Sequence, residues 1–342
     1  MSLKNSGFTR REFLRLSILG SGLMAVPGVQ ASEHPGLKDM PLTGDYSMPK
    51  RTFGNTGEQV SLLGIGAFPF SHDDVSIDQV TETLTRAVEL GVNYVDTAPN
   101  YGEHNRMTAE EKMGYSLKDL RDQFFLVTKT EQHTYDGTWR LLEQSLKRMK
   151  TDHIDLIHLH DFGAEHTWPD LEAVFSKSGA IGALQQAKEQ GLVKYIGVSG
   201  HLYPSRFHYA IDSGQIDAMM CAVNYINQHT YDFEHKIWYR AGQQGLGLVA
   251  MKILGGRPTG GAVKGYRIPN NRYQQTIRYT LSLPYLSTAC IGVRSVDELE
   301  QAARAVALLP PLSPEEAYAL SVEGLNLAQT DKWKEAYGSP LK

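Results

Sequence analysis

Short apolar runs alternate with longer amphipathic segments along most of the chain. The apolar runs are rich in Val, Ile and Leu and nearly continuous, as expected of strands that are buried on both faces. They predict eight strands: Leu62–Ala67, Tyr94–Ala98, Phe124–Lys129, Ile154–His160, Tyr195–Gly200, Ala218–Asn224, Gly247–Ile253 and Thr288–Arg294. The amphipathic segments space their apolar residues as helices do, and the clearest of them predict helices at Ile77–Leu90, Tyr135–Met149, Gly182–Gln190, Gln275–Leu283 and Val296–Leu308.

A strand that is followed by a helix, many times in succession, indicates parallel pairing. Residues 51–308 suit a (β/α)8 TIM barrel, which takes about 250 residues. A doubly wound open sheet is the alternative, and it usually carries a G-x-G-x-x-G turn after its first strand. Here the first strand runs into Gly64-Ile65-Gly66-Ala67-Phe68-Pro69, which breaks that fingerprint. We therefore predict one barrel domain and a C-terminal tail, residues 309–342, that packs on it.

The composition is that of a soluble globular protein. The 342 residues are 41% hydrophobic and 21% charged, with a formal net charge of -4, which excludes a disordered chain, a collagen-like fibre and a multi-pass membrane protein. The mild acidity provides no basic surface for nucleic acid. Cys221 and Cys290 are the only cysteines, too few for a disulfide framework or a four-cysteine metal site.

The first 31 residues differ from the rest and are interpreted as a targeting segment. Arg10 and Arg11 precede a short apolar run, and Ala31 ends the segment. This order of charged, apolar and small residues is that of a signal peptide, and the paired arginines resemble a twin-arginine export signal. We expect the twin-arginine machinery to export the folded chain to the periplasm, with a linker over residues 32–50 and no membrane span in the mature chain.

Polar side chains follow the predicted strands at their C-terminal ends, where barrels carry their active sites. Asp96 lies near the end of the second strand and Tyr101 follows that strand, while Lys129 ends the third strand and His160 ends the fourth. An ammonium lowers the pKa of a neighbouring tyrosine, and such a tyrosine can deliver a proton to a carbonyl oxygen. We expect Asp96 to hold Lys129 charged, and His160 to bond the substrate oxygen or to relay a proton to Tyr101. Since no side chain donates hydride, the chemistry requires a nicotinamide cofactor.

A set of motifs in chain order resembles those of the aldo-keto reductases. The motifs are Gly91-Val92-Asn93-Tyr94-Val95-Asp96-Thr97-Ala98-Pro99-Asn100-Tyr101-Gly102, Val127-Thr128-Lys129, Ile154–His160, Tyr195–Ser199 and Gly292–Leu299. The resemblance runs from about residue 50 to residue 308. It implies a (β/α)8 barrel that reduces an aldehyde or ketone, a small-molecule carbonyl substrate, with NADPH.

The resemblance also implies a role for each matching residue. Tyr101 matches the general acid, and Asp96, Lys129 and His160 match the three residues that support it. The residues matched to cofactor binding are Ser199, Gly200, Met251, Lys252, Leu254, Gly256, Gly292 and Arg294.

Three positions depart from the family pattern. Gly200 stands where the family often has asparagine, Met251 where an aromatic ring stacks on the nicotinamide, and Glu298 where an arginine binds the 2′-phosphate of NADPH. A thioether can still pack on a ring, and Arg294 can supply the missing charge because a guanidinium suits phosphate. We predict NADPH as the cofactor, with NADH as the alternative.

Two other functions fit some of the same residues. His158 and His160 lie on one face of a strand, and such a pair can bind a metal, which makes a metal-dependent barrel hydrolase one alternative. That class needs further inward His or Asp residues, whereas later strands end in Lys252 and Arg294. We therefore expect no metal and interpret His158 as a satisfied core histidine. The other alternative is a redox-sensing protein that binds the cofactor without turnover.

Overall fold

The structure is a computed structural model that describes Leu42 and residues 48–256 and 265–338. The predicted signal peptide, residues 1–31, and most of the predicted linker lie outside the described residues.

Eight parallel strands close into a barrel in which each strand pairs with the next and the last pairs with the first. The strands are β1 (Leu63–Gly66), β2 (Tyr94–Asp96), β3 (Phe125–Thr130), β4 (Ile154–Leu159), β5 (Val193–Gly200), β6 (Ala218–Ala222), β7 (Gly247–Met251) and β8 (Leu286–Gly292). Pairing of Ala289 with Leu63 closes the ring. The predicted (β/α)8 TIM barrel is confirmed, and all eight predicted strands form within two residues of their expected ends.

Helices follow the strands and surround the barrel. Several begin where the sequence supplies a capping side chain: the hydroxyls of Ser76, Thr108 and Ser313 each accept the N–H three residues on, which satisfies a free donor of the first turn. The helices are α1 (Ile77–Glu89), α2 (Ala109–Ser116), α3 (Tyr135–Met149), α4 (Leu171–Val174), α5 (Ala180–Glu189), α6 (Phe207–Ser213), α7 (Tyr239–Gln243), α8 (Tyr273–Leu281), α9 (Val296–Leu308), α10 (Pro314–Ala328) and α11 (Asp331–Tyr337).

The apolar residues form two cores because strand side chains alternate between the faces of the sheet. One core lies between the strands and the helices. The other fills the barrel and includes Tyr94, Phe125, Leu156 and Met220. The inner core leaves the C-terminal strand ends to polar side chains, which is where the site lies.

A hairpin of Lys50–Thr52 and Gln59–Ser61 lies at the opposite end of the barrel. The ring of Phe53, which follows its first strand, lies 5.1 Å from that of Phe125 and 6.1 Å from that of Tyr94. Since Phe53 is fully buried against the barrel interior, it covers this end of the barrel.

The C-terminal tail packs against the segment that follows β7. Trp333 stacks on Tyr337 with ring centroids 4.1 Å apart and lies edge-on to Tyr266 at 5.2 Å. The Tyr337 hydroxyl donates a hydrogen bond to the carbonyl of Gly256 at 2.9 Å. Both Trp333 and Tyr337 are buried. Across the part of the chain that is described, no helix has the length and apolar character needed to cross a membrane.

Candidate active site

Three polar side chains meet at the C-terminal end of the barrel. Asp96 ends β2 and Lys129 lies near the end of β3. The Lys129 Nζ donates to both carboxylate oxygens of Asp96, at 2.8 and 2.7 Å, and to the carbonyl of Thr97 at 2.7 Å. It also lies 3.4 Å from the hydroxyl of Tyr101, on the loop after β2. The structure thus brings three of the four predicted catalytic residues into direct contact.

Burial decides the charges in this cluster. Asp96 exposes 4% and Lys129 2% of its surface. Burial has the largest single effect on Lys129 and opposes its charge, but the attractions of Asp96 and Tyr101 and the hydrogen bond to Asp96 together exceed it and raise the pKa of the ammonium. Burial raises the pKa of Tyr101 to about 12, although Lys129 acts in the lowering direction that the sequence predicts. The expected net fall in the pKa of Tyr101 is therefore wrong, because desolvation exceeds the effect of the lysine.

His160 directly follows β4, and its ring is buried. The backbone N–H of His160 donates to the carbonyl of Thr130 at 2.8 Å, and the indole N–H of Trp168 donates to the backbone carbonyl of His160 at 3.1 Å. Burial and the positive charge of Lys129 lower the pKa of His160 well below 6.5, so the imidazole is neutral near neutral pH. Among the described residues no hydrogen bond joins His160 to Tyr101. The fourth predicted residue is therefore linked to the other three through electrostatics.

Two titratable side chains outside the predicted catalytic and cofactor-binding residues also lie here. Glu131 comes two residues after Lys129, and its Oε1 lies 3.4 Å from the Nδ1 of His160. His201 comes two residues after Ser199, and its ring centroid lies 5.8 Å from that of His160. A strand places residues i and i+2 on one face. If the two-residue alternation is extended past the end of each strand, it predicts that Glu131 and His201 also face the site.

Phe68 provides an aromatic surface beside Tyr101. It lies in a short 3₁₀ turn after β1, and its ring packs edge-on to that of Tyr101 at 5.2 Å. The side chain is 53% exposed, which is unusual for a phenylalanine. It therefore offers an apolar contact to a molecule bound at Tyr101. Nothing in its local sequence distinguishes it from a core phenylalanine.

Lys252 and Asp161 carry perturbed charges at the same end of the barrel. Burial and repulsion by Lys129 lower the pKa of Lys252 to about 8. Burial raises the pKa of Asp161 to about 7, and its Oδ1 accepts the backbone N–H of His201 at 3.1 Å. Lys252 has a left-handed backbone with φ 55, a conformation that costs energy for a residue with a side chain and often marks a functional site. Its ammonium suits an anionic ligand group.

Two buried polar atoms at the mouth of the barrel fit the carboxamide group of a nicotinamide ring. The Ser199 hydroxyl at the end of β5 and the Nδ1 of His201 have no hydrogen-bond partner within the described residues. An unpaired buried polar atom is costly, and a carboxamide both donates and accepts. The residues present therefore fit a nicotinamide cofactor at the position the sequence predicts.

The other residues matched to cofactor binding lie on the same side of the barrel. Met251 ends β7, with Leu254 and Gly256 just beyond it, and Gly292 ends β8. Gly200 ends β5, and a Cβ there would lie 2.8 Å from the ring of Phe207. A side chain at this position requires that ring to move, which accounts for the glycine.

Arg294, the candidate for the 2′-phosphate, has an acidic partner. Its guanidinium lies 2.5 Å from the carboxylate of Asp74, and its backbone N–H donates to Glu298 at 2.9 Å. Both Arg294 and Asp74 have exposed side chains. The one guanidinium that the sequence assigns to the phosphate is therefore already paired with a carboxylate.

His158 lies below the site and differs from its expected state. It pairs in register with Lys129 and Gly197, and a Cβ on Gly197 would lie 2.5 Å from its Nδ1. The interpretation of His158 as a satisfied histidine is wrong, since neither ring nitrogen has a hydrogen-bond partner among the residues described. Burial lowers its pKa well below 6.5, so the ring is neutral.

The structure lacks the side-chain grouping that the hydrolase alternative needs. Within residues 48–256 and 265–338, no three or more His, Cys, Asp or Glu side chains come together so that they could hold a metal ion. His158 and His160 are thus without the additional ligands that a metal-activated hydrolase uses.

A model of the aldo/keto reductase family matches residues 62–276. Because this match covers more than half of the chain, the protein belongs to the aldo/keto reductase family. The matched region runs from the start of the barrel to α8 and contains Asp96, Tyr101, Lys129 and His160.

Individual relatives agree with this assignment. L-galactose dehydrogenase from Arabidopsis thaliana is 32% identical over 53% of this chain, and the chain spans 58% of that relative's length. The uncharacterized oxidoreductase YqkF from Bacillus subtilis is 25% identical over 74% of this chain and 90% of its own. An aldo-keto reductase structure from Bacillus halodurans covers 86% of this chain and 98% of its own, with a TM-score of 0.63 and 21% identity, and supports the fold.

Proposed function

We propose that the protein is an NAD(P)H-dependent oxidoreductase that interconverts an aldehyde or ketone and the corresponding alcohol, with Tyr101 as general acid. The observation that carries this proposal is the Tyr101 hydroxyl, which lies 3.4 Å from a Lys129 ammonium that is itself paired with a buried Asp96. Family membership and the reductases and dehydrogenases among its relatives support the reaction class.

The charges of the site suit proton delivery. Tyr101, whose pKa is about 12, is protonated at neutral pH and can donate to a carbonyl oxygen as negative charge forms on it. A nicotinamide cofactor, when bound by the residues at the mouth, would supply the hydride. Lys129 then stabilises the phenolate, and Asp96 keeps the ammonium charged and in place. His160 is neutral and therefore adds no charge beside the substrate oxygen.

Four residues at the mouth would hold the cofactor. Ser199 and His201 would bond the carboxamide through their unpaired polar atoms, and Met251 would pack on the ring. Lys252 would bind an anionic group. We propose NADPH as the preferred form, because the guanidinium of Arg294 suits the 2′-phosphate, and NADH as the alternative.

The test is turnover by purified protein. Aldehydes and ketones of increasing size are offered with NADPH or NADH, and the absorbance of the reduced nicotinamide is followed. A fall with one of the cofactors supports the proposal. Tight cofactor binding with no turnover of any carbonyl or alcohol would instead support the cofactor-sensing alternative.

We propose in addition that residues 1–31 direct export to the periplasm through the twin-arginine machinery, on the strength of Arg10 and Arg11 ahead of the short apolar run. Replacement of both arginines by lysine is expected to keep the protein in the cytoplasmic fraction. Mass spectrometry of nucleotide released from the exported protein reports whether cofactor travels with it.

A further inference from the structure

A carboxylate, an amide and an imidazole form a chain at the mouth of the barrel. The Nδ2 of Asn100 donates to the Oε1 of Glu131 at 2.7 Å, and the same oxygen lies 3.4 Å from the Nδ1 of His160. The second contact is long, and catalytic hydrogen bonds often shorten when substrate binds. The indole N–H of Trp168 donates to the backbone carbonyl of His160 at 3.1 Å. The ring is therefore fixed between a backbone anchor and a carboxylate.

An ionised carboxylate accepts hydrogen bonds and donates none. A neutral imidazole beside it places its single proton on the nearer nitrogen, here Nδ1, and keeps a lone pair on Nε2. Nε2 lies across the ring from Glu131, and within the described residues nothing donates to it or accepts from it. The contact with Glu131 thus selects one of the two tautomers of His160.

We propose that Glu131 is a positioning residue that holds the Nδ1–H tautomer of His160, so that Nε2 accepts a hydrogen bond from the bound substrate oxygen. This inference rests on the proposed function for its substrate, while its structural part concerns His160 alone. It assigns a role to a side chain outside the predicted catalytic set.

The tautomer distinguishes the two forms of the substrate. An alcohol can donate its hydroxyl proton to the lone pair of Nε2. A carbonyl oxygen has no proton to donate, so it gains a hydrogen bond from His160 only after the Glu131–His160 pair takes up one proton. Binding of the carbonyl is therefore linked to proton uptake, and binding of the alcohol is not. Above the pH at which the pair loses that proton, the site favours the alcohol.

Other charged groups around Glu131 and His160 affect the pKa of this pair. They come from every neighbouring segment, and the pair titrates as a unit with all of them. The titratable groups that face His160 are Lys129, His158, His201 and Lys252. Glu103, Lys129 and His166 act on Glu131, which in turn acts on Asp161. Lys129 and Lys252 disfavour a proton on the imidazole, whereas burial and Glu103 favour one on Glu131. The extra proton is therefore expected on the carboxyl, which then donates to Nδ1 and moves the ring proton to Nε2.

The first test reads the tautomer without turnover. Nitrogen-15 spectra of the imidazoles are recorded on the full protein at pH 8, and the signals of His160 are assigned from their loss in His160→Gln. We expect a protonated Nδ1 and an unprotonated Nε2. Glu131→Leu should remove this preference, and Glu131→Gln should retain it, because the amide oxygen still accepts from Nδ1. A proton on Nε2 in the unmodified protein overturns the proposal.

The second test separates KM from kcat. For a carbonyl substrate, KM is expected to rise about tenfold per pH unit above the pKa of the pair, as one linked proton requires, and this slope should vanish in Glu131→Leu. Glu165→Gln is the matched control, an exposed carboxylate on the loop after β4, and should behave as the unmodified protein. An unchanged slope in Glu131→Leu contradicts the role of Glu131. If no carbonyl or alcohol is turned over, the proposed function fails, and the spectra still decide the tautomer.

Discussion

Lys129 and Asp96 form a two-point ion pair inside the barrel, with the Nζ 2.8 and 2.7 Å from the two carboxylate oxygens. The residues lie on adjacent strands, β2 and β3, at the layer where the apolar interior ends. Neither side chain reaches bulk water, since Lys129 exposes only 1% and Asp96 only 5% of its side-chain surface. Each charge therefore depends on the other for its stabilisation.

Asp96→Asn is expected to destabilise the fold as well as the site. It leaves a buried ammonium without its counter-ion, and loss of one partner of a buried pair costs about 3–5 kcal/mol. The free energy of unfolding from denaturant titration measures the effect. Asp212→Asn removes the carboxylate from the exposed ion pair with Arg240 and should cost less than about 1 kcal/mol. Equal losses in the two variants would contradict the structural role of the buried pair.

Tyr101→Phe is expected to lower kcat by roughly 10²–10⁴-fold, because the proton donor is removed. Cofactor affinity, measured by quenching of protein fluorescence, should stay within about twofold, since no cofactor contact is assigned to the hydroxyl. Tyr115→Phe on α2 is the matched control, because that tyrosine is 54% exposed. A Tyr101→Phe protein with full kcat would show that another group delivers the proton.

Arg294→Ala is expected to weaken NADPH binding by roughly tenfold through loss of a charge-assisted hydrogen bond to the 2′-phosphate. NADH binding should not change. Asp74→Asn is expected to act in the opposite direction, because it frees the guanidinium from its present partner. Calorimetric Kd values for both nucleotides test this. A parallel loss of NADH affinity in Arg294→Ala would exclude the 2′-phosphate as the group it contacts.

Glu234 is expected to make the protein less stable as pH rises. Burial raises the pKa of its carboxyl to about 8, and repulsion by Asp232 adds to the effect. The hydroxyl of Tyr279 donates to Oε1 at 3.1 Å, while Oε2 is unpaired among the described residues. Between its ordinary pKa near 4.5 and pH 8, the unfolded chain is ionised and the folded chain holds the proton. The folded state binds more protons in this window, so the free energy of unfolding falls with increasing pH.

Glu234→Gln removes this titration and should flatten the decline, which is at most about 1.4 kcal/mol per pH unit for one proton. Denaturant titrations between pH 5 and pH 8.5 provide the comparison. Glu143→Gln, at an exposed position of α3, should retain the slope of the unmodified protein. A slope that persists in Glu234→Gln would assign the dependence to another buried group.

Much of the barrel is predictable because its signals are local. Each strand is an apolar run a few residues long, and helices such as Tyr135–Met149 and Val296–Leu308 begin and end where the sequence predicts. The predicted strand after Ala218 extends two residues too far, since it continues to Asn224. The Asn224 side chain instead accepts the N–H groups of Ile226 and Asn227 in a turn, and such a side-chain contact leaves no trace in hydropathy.

The sequence by itself determined the fold class and the place of the site, because strand periodicity and the order of polar strand ends depend only on neighbours in the chain. It also selected Asp96, Tyr101 and Lys129, which meet because strand ends of a parallel barrel share one rim. Only the tertiary structure decided the sign of the net pKa shift of Tyr101, the unpaired nitrogens of His158 and the contact between Glu131 and His160. These depend on desolvation and on distances between side chains from different strands, which are fixed only when the barrel closes.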